Sequence, residues 1–251
     1  MRDEYKKYIY GDRAIIPYGQ TSIAQAAFYL CDNLVSIEIP NTITVIGVGA
    51  FYGCSSLVNI EIPNSVSIIG SHTFSECFRI TGVDIPYGVT IVEEGLFSNC
   101  ISLEQVTIPN SVLDIGPSAF YHCDSLIHIK LPNSLKRIDN HAFASCINLA
   151  QIEIPNNLIR IGDYAFSGCG KLTSIDIPNS VVEIGRSPFS GCLQLEEIRL
   201  RQENPDKSAL KDNSSMYDFM ETTALMVPKG TGYVYRHHPF FGQFKTIKPI
   251  L

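Results

Sequence analysis

The stretch IPNSVSIIGSHTFSEC, Ile62 to Cys77, decides how the chain is read. It returns as IPNSVLDIGPSAFYHC at Ile108 to Cys123 and as IPNSVVEIGRSPFSGC at Ile177 to Cys192. Working outward, all eight cysteines fall in one register: Cys31, Cys54, Cys77, Cys100, Cys123, Cys146, Cys169 and Cys192, each 23 residues from the next. Phe28, Phe51, Phe74, Phe97, Phe120, Phe143, Phe166 and Phe189 keep the same step. So do Pro17, Pro40, Pro63, Pro86, Pro109, Pro132, Pro155 and Pro178. Three registers of one period mark a solenoid, in which each unit buries its apolar face only by stacking on its neighbours. The unit reads P-N-S-V-x-x-I-G-x-x-A-F-x-x-C-x-x-L-x-x-I-x-I, and eight copies fill residues 17–200.

Each copy carries three pieces of local chemistry. Leu57 to Ile62 reads as a short strand, with Leu57, Ile60 and Ile62 inward and Asn59 and Glu61 outward. Pro63 ends it for want of an N–H, and Asn64 suits the turn that follows. Two units carry Pro17-Tyr18-Gly19 and Pro86-Tyr87-Gly88 instead, where glycine keeps the turn chemistry. Val66 to Ile69 reads as a second extended piece leading into Gly70. That column is Gly in five units but Glu93 and Asp139 in two, so a positive φ there is compatible but not required. The A-F-x-x-C segment suits one turn of helix or 3₁₀.

Composition narrows the function classes. The 251 residues are 45% hydrophobic, an ordinary globular balance, and the formal net charge of -6 argues against a nucleic-acid partner. No apolar run approaches the roughly 18 residues of a membrane span. The opening MRDEYKKYIYGDRAIIPYG has charges without the apolar core of a leader, so with Met1 as the natural start a cytoplasmic location is expected.

Taken together, L-x-x-I-x-I-P-x-x-V-x-x-I-G-x-x-A-F-x-x-C over residues 17–200 resembles the BspA-like class of leucine-rich repeats. The tail from Ala224 to Ile247 is similar to the terminal segment of such bacterial proteins. Small departures are Ile80 for Leu, and Thr73, Leu96 and Pro188 for Ala. The resemblance implies a right-handed superhelix with a parallel β-sheet on one face. It also implies a cell-surface or secreted adhesion or recognition protein that binds a protein or glycoprotein without catalysis.

Three regions are therefore expected: an N-terminal cap over 1–16, eight leucine-rich repeats over 17–200, and a C-terminal loop and cap over 201–251. Tyr8 to Ile16 reads as a hairpin or edge strand. A short helix is expected near Met216 to Met220 and a last strand over Leu225 to Val227. Tyr233, Tyr235, Phe240, Phe241, Phe244 and Ile247 are expected to plug the open core.

The candidate binding residues are the strand's outward columns. One reads Glu38, Glu61, Asp84, Thr107, Lys130, Glu153, Asp176 and Arg199. Its neighbour reads Ser36, Asn59, Gly82, Gln105, His128, Gln151, Ser174 and Glu197. They vary while the core columns hardly change, which is how solenoids present contact faces. The other reading is that they only keep an exposed sheet soluble. Five of the eight residues in the first column are acidic, which would suit a cationic patch on a partner. Lys130, Lys136, Arg137 and Arg160, with His122, His128 and His141, read either as a basic patch or as surface scatter.

The cysteines read as reduced, buried core positions rather than disulfides, because equivalent side chains point the same way beside a phenylalanine column. No C-x-x-C supports zinc, and His237-His238 reads as packing or exposure rather than a metal site. No nucleophile elbow, zinc-protease helix or phosphate-binding loop occurs, so no enzyme and no cofactor is expected.

Overall fold

In a computed structural model of the chain, residues 2–207 and 220–250 are described. The repeats wind into eight coils, each counted from its proline. Every coil contributes one short strand to each of two parallel sheet faces. The first face holds β2 (Arg13–Ile15), β4 (Ser36–Glu38), β6 (Asn59–Ile60), β8 (Gly82–Asp84), β10 (Gln105–Thr107), β12 (His128–Ile129), β14 (Gln151–Ile152), β16 (Ser174–Ile177) and β18 (Glu197–Leu200). The second holds β3 (Ser22–Ile23), β5 (Val45–Ile46), β7 (Ile68–Ile69), β9 (Ile91–Val92), β11 (Asp114–Ile115), β13 (Arg137–Ile138), β15 (Arg160–Ile161) and β17 (Glu183–Ile184). Wherever repeat strands pair, the partners are 23 residues apart, as in Asp84↔Thr107 and Asp114↔Arg137.

The third side of each coil, the A-F-x-x-C segment, makes the i→i+3 bonds expected of a tight turn, such as Cys54 N–H to Phe51 C=O at 3.1 Å. It does not continue as helix. Two columns of left-handed residues interrupt it in every coil: Ala26, Gly49, His72, Gly95, Ser118, His141, Tyr164 and Ser187, and then Leu30, Gly53, Glu76, Asn99, His122, Ser145, Gly168 and Gly191. Through the seventh coil each directs its N–H at the next coil. Ala26, Phe28 and Leu30 donate to Val48, Ala50 and Tyr52 at 2.9, 2.7 and 2.7 Å, and His72, Phe74 and Glu76 donate to Glu94, Leu96 and Ser98 in the same way. A side chain in the left-handed region is disfavoured by roughly 1–2 kcal/mol, so these conformations persist only because the ladder needs them.

The Gly47, Gly70, Gly116, Gly162 and Gly185 column serves another purpose. None of these glycines has a positive φ. A Cβ on Gly70 would lie 2.5 Å from the Val48 nitrogen, and one on Gly116 would lie 2.9 Å from that of Glu94. Close approach of adjacent coils selects glycine here.

Inside, Phe28 to Phe189 form one column of near-parallel rings, from 5.1 Å between Phe120 and Phe143 to 5.9 Å between Phe166 and Phe189. Tyr5, in helix α1 (Asp3–Lys6), closes the column edge-on against Phe28 at 5.3 Å. Beside the rings run the cysteines, all free and buried. From Cys54 onward each Sγ–H donates to the phenylalanine carbonyl of the coil before: Cys54 to Phe28 at 3.2 Å, Cys146 to Phe120 at 3.0 Å. Cysteine is thus a small apolar filler that also occupies the second lone pair of a buried carbonyl. Burial pushes Cys54, Cys100, Cys146 and Cys192 up to about 12, and raises Cys77, Cys123 and Cys169 well above the thiol range.

The ends differ from the repeats. At the start, β1 (Ile9–Tyr10) pairs antiparallel with β2, forming a hairpin. At the other end, β19 (Ala224–Val227) and β20 (Thr246–Pro249) extend the first sheet in parallel past β18. The second of these strands was not anticipated. Tyr235, Phe240, Phe241, Phe244 and Ile247 are buried there. Tyr233 is not part of the plug: it is 72% exposed on helix α2 (Gly232–His237), with its ring 4.0 Å from that of His237. The helix expected near Met216 to Met220 lies, up to residue 219, outside the described residues.

Two outcomes follow. Phe120→Ala should destabilise by about 3–5 kcal/mol, as expected for deleting a buried ring. Ser118→Gly, two residues away, should leave the unfolding free energy from denaturant titration unchanged or raise it by up to ~1 kcal/mol, because it relieves a left-handed residue. Loss of stability in Ser118→Gly would contradict this account of the turn. The thiols should react with a maleimide only on global unfolding. Burial holds their folded pKa values above the ordinary thiol value of 9.0. The thiol contribution is therefore complete below about pH 9 and is lost as pH rises toward 12, by at most ~1.4 kcal/mol per pH unit for each thiol. An alkaline melting series on the wild type and on Cys100→Ala/Cys146→Ala checks it, the variant showing the shallower fall.

Candidate functional site

The proposed contact residues all sit on the outer side of the first sheet, because a strand alternates its side chains and the inner positions belong to the core. Strand register aligns Ser36 with Asn59, Gly82 with Gln105, His128 with Gln151, and Ser174 with Glu197. The first column runs Glu38, Glu61, Asp84, Thr107, Lys130 and Glu153, all exposed, and then Asp176 and Arg199, half-buried near the C-terminal cap. Met226 and Lys248 on β19 and β20 continue it past the repeats.

The ends of this face neutralise themselves. Arg13 on β2 forms an ion pair with Glu38. At the other end Arg201 grips Asp176 with both Nε, at 2.9 and 3.2 Å, and a terminal nitrogen, and this bond raises the Arg201 pKa. Arg199 pairs with Glu197 at 2.5 Å. Among the described residues Glu61, Asp84, Lys130 and Glu153 make no ion pair. The face therefore presents two free carboxylates toward the N-terminal half and a mixed-charge region beyond. That second region is hollowed. A depression of about 810 Å³ is lined by Gln151, Glu153, Ser174, Asp176, Arg199 and Arg201, and another of about 440 Å³ by His128, Lys130, Asn133, Gln151, Glu153 and Asn156. Ile127, 60% exposed, stands in the wall of a third beside Gln105, His128 and Lys171.

Arg13, Arg201 and Lys171 were missed by sequence reasoning. The first two were within its reach, since 13 precedes 36, and 201 follows 178, by one period. The basic residues do not assemble. Lys130 and His128 lie on the first sheet and Lys136, Arg137 and Arg160 on the second. Arg137 is held by Asp114 at 2.7 and 2.8 Å, which raises its pKa, and Arg160 lies between Asp139 and Glu183 at 3.5 and 3.2 Å. His237 stacks on Tyr233, and His238 takes the Phe240 and Phe241 amides at 3.2 and 3.3 Å. Among the described residues no group of three or more His, Cys, Asp or Glu is placed to hold a metal ion, and no helix is long and apolar enough to cross a membrane.

The family model for a BspA type leucine rich repeat region matches residues 21–149 and 113–220, with six copies. Among solved structures, a leucine-rich repeat protein from Bacteroides ovatus is 31% identical with a TM-score of 0.75. The match covers 95% of this chain and 60% of the length of that one. The T. pallidum leucine rich repeat protein is 29% identical with a TM-score of 0.59, over 74% of this chain and 78% of that one. The pneumococcal vaccine antigen PcpA, 19% identical with a TM-score of 0.56 over 96% of this chain and 67% of that one, shares the fold. No curated protein matches the chain. With its 23-residue coils, its phenylalanine and cysteine columns and a family match that spans most of its length, the chain belongs to the BspA-type leucine-rich repeat family.

Proposed function

We propose that the outer face of the first sheet is a non-catalytic recognition surface for a protein or glycoprotein, with adhesion or partner recognition as its task. Leucine-rich repeat proteins generally mediate protein interactions, and the family is a non-enzymatic repeat class. The observation that carries the reading is the contrast within one face: Glu61 and Asp84 are exposed without ion pairs, while Glu38 and Asp176 are satisfied by Arg13 and Arg201. Carboxylates kept free on neighbouring strands repel each other, and a lysine- or arginine-bearing partner surface relieves that repulsion. These columns carry no Phe, Tyr or Trp, which favours a polypeptide contact over a stacked sugar.

The alternative reading is an intracellular scaffold or regulatory protein, or a purely structural repeat protein, and eight thiols would suit an intracellular one through its reducing surroundings. Burial and raised pKa values leave those thiols unreactive in either compartment, so they do not favour it. A location at the cell surface or in the medium accords with the proposed role, and protease shaving of intact cells reads it directly.

The charge-reversed variant Glu61→Lys/Asp84→Lys should lose at least about tenfold in capture of the proteins that the immobilised wild-type chain retains, the scale of a few rim-charge contacts. Its melting transition should move little, because both side chains lie on the surface. Glu38→Lys should weaken capture less per charge and cost some stability, since it sets a second cation against Arg13. Undiminished capture by the double variant would place the contact on another surface.

A further inference from the structure

The interface between successive coils is one continuous helical seam, closed by backbone bonds in the two sheets along much of it and by a serine clip at three of its corners, while Ser180 at another corner is buried without such a partner. The second sheet's flanking amides bond across it, as in Leu113 to Thr90 at 2.8 Å, Gly116 to Val92 at 2.7 Å, Lys136 to Leu113 at 2.7 Å and Asp139 to Ile115 at 2.9 Å. At the corner between the sheets, Ser65, Ser111 and Ser134 clip the carbonyls of Ile43, Val89 and Val112 at 2.6, 2.7 and 2.8 Å. The first-sheet strands pair beyond that corner. In one contiguous section, where residues 58–70 face residues 81–93, all three are missing. Strand β6 does not pair with β8, and β7 does not pair with β9. Neither the Thr90 nor the Glu93 amide makes the bond its equivalents make. The serine clip is replaced by Gly88, whose Cβ would have aimed at the Val66 carbonyl from 3.1 Å.

The sequence departs from its own repeat at these points. Pro86-Tyr87-Gly88 stands where four of the units have Pro-Asn-Ser, and Glu93 stands in the column that five units fill with glycine for close approach. Asp139 breaks that column too, yet its amide bond to Ile115 is intact, so the side chain alone does not open the seam. The first sheet also lacks pairing between β10 and β12 and between β14 and β16, but there the second sheet stays closed through β11–β13 and β15–β17. Only the section at Gly88 loses both sheets among the described residues.

The opposite side of the same junction is fully made. His72, Phe74 and Glu76 donate to Glu94, Leu96 and Ser98 at 2.8, 3.0 and 2.8 Å, Ser75 Oγ–H reaches the Gly95 carbonyl at 2.6 Å, and the Phe74 and Phe97 rings lie 5.7 Å apart. Glu61 and Asp84, one period apart, lie within the section that lacks these bonds. We propose that this junction is a hinge: the turn ladder is its leaf, the corner between the sheets opens and closes, and repulsion between Glu61 and Asp84 favours the open form until a cationic group bridges them. The last step rests on the acidic face being the contact surface; the hinge itself does not.

The test needs no partner. Spin labels at Thr21→Cys and Val182→Cys span the junction, those at Leu113→Cys and Val182→Cys lie to one side, and the native thiols are too buried to be labelled. The spanning pair should give a broad distance distribution that narrows when Gly88→Ser/Glu93→Gly restores the repeat, while the one-sided pair should not change. Amide exchange at Thr90 and Glu93 should be roughly tenfold or more faster than at Leu113 and Gly116, the scale of a missing ladder bond. Equal widths before and after restoration, or equal protection at those amides, would overturn the hinge. Glu61→Gln/Asp84→Asn removes only the repulsion and should also narrow the spanning distribution; an unchanged width in that variant would overturn the electrostatic control. Failure of the charge-reversed chain to lose partner capture would overturn the recognition reading and with it the bridging step, and would leave the hinge itself standing.

Discussion

Everything in this solenoid hangs on three amides per coil that point out of a turn and into the next coil. A turn of ordinary right-handed residues would close those N–H groups on itself and leave nothing to hold the following coil on that side. The two left-handed columns prevent this, and they do so even with histidine, glutamate, leucine and tyrosine in place. Local strain is accepted because the alternative is an unbonded buried backbone. The phenylalanine rings and cysteine thiols then stack in register, each thiol adding a bond to the carbonyl of the coil before.

A scaffold bonded on three sides can spare one of them locally. At the junction before Gly88 both sheet sides are released while the turn side holds, and the first sheet carries its unpaired acids across that same gap. Toward the ends of that sheet Glu38 is matched by Arg13 and Asp176 by Arg201, and the second sheet ties coils 5 to 8 through Asp114–Arg137, Asp139–Arg160 and Arg160–Glu183. The proposed contact face and the least bonded seam thus coincide, which under the two proposals couples what the surface binds to how the solenoid bends.

The period, the inward residues and the outward columns were legible because each is a repeated consequence of side-chain chemistry: proline stops a strand, alternation sets two faces, and cysteine beside phenylalanine fills a core. The left-handed columns were not legible, since their residues share no chemistry; the backbone bond they make is indifferent to side chain. The glycine column misled for the opposite reason. A glycine reads first as a special φ, and here it answers to the backbone of another coil 23 residues away. Tyr233 misled as well, because an aromatic cluster near a chain end reads as core throughout, and only the course of α2 turns that ring outward.

By itself the sequence determined the coil, its length, its core and which side chains face solvent, since these follow from interactions inside one unit and its repetition. Tertiary structure alone decided which carboxylates stay unpaired and where the seam opens. Both depend on groups one period apart, Arg13 with Glu38, Arg201 with Asp176, Gly88 with Val66, and such pairs meet only when the coils stack.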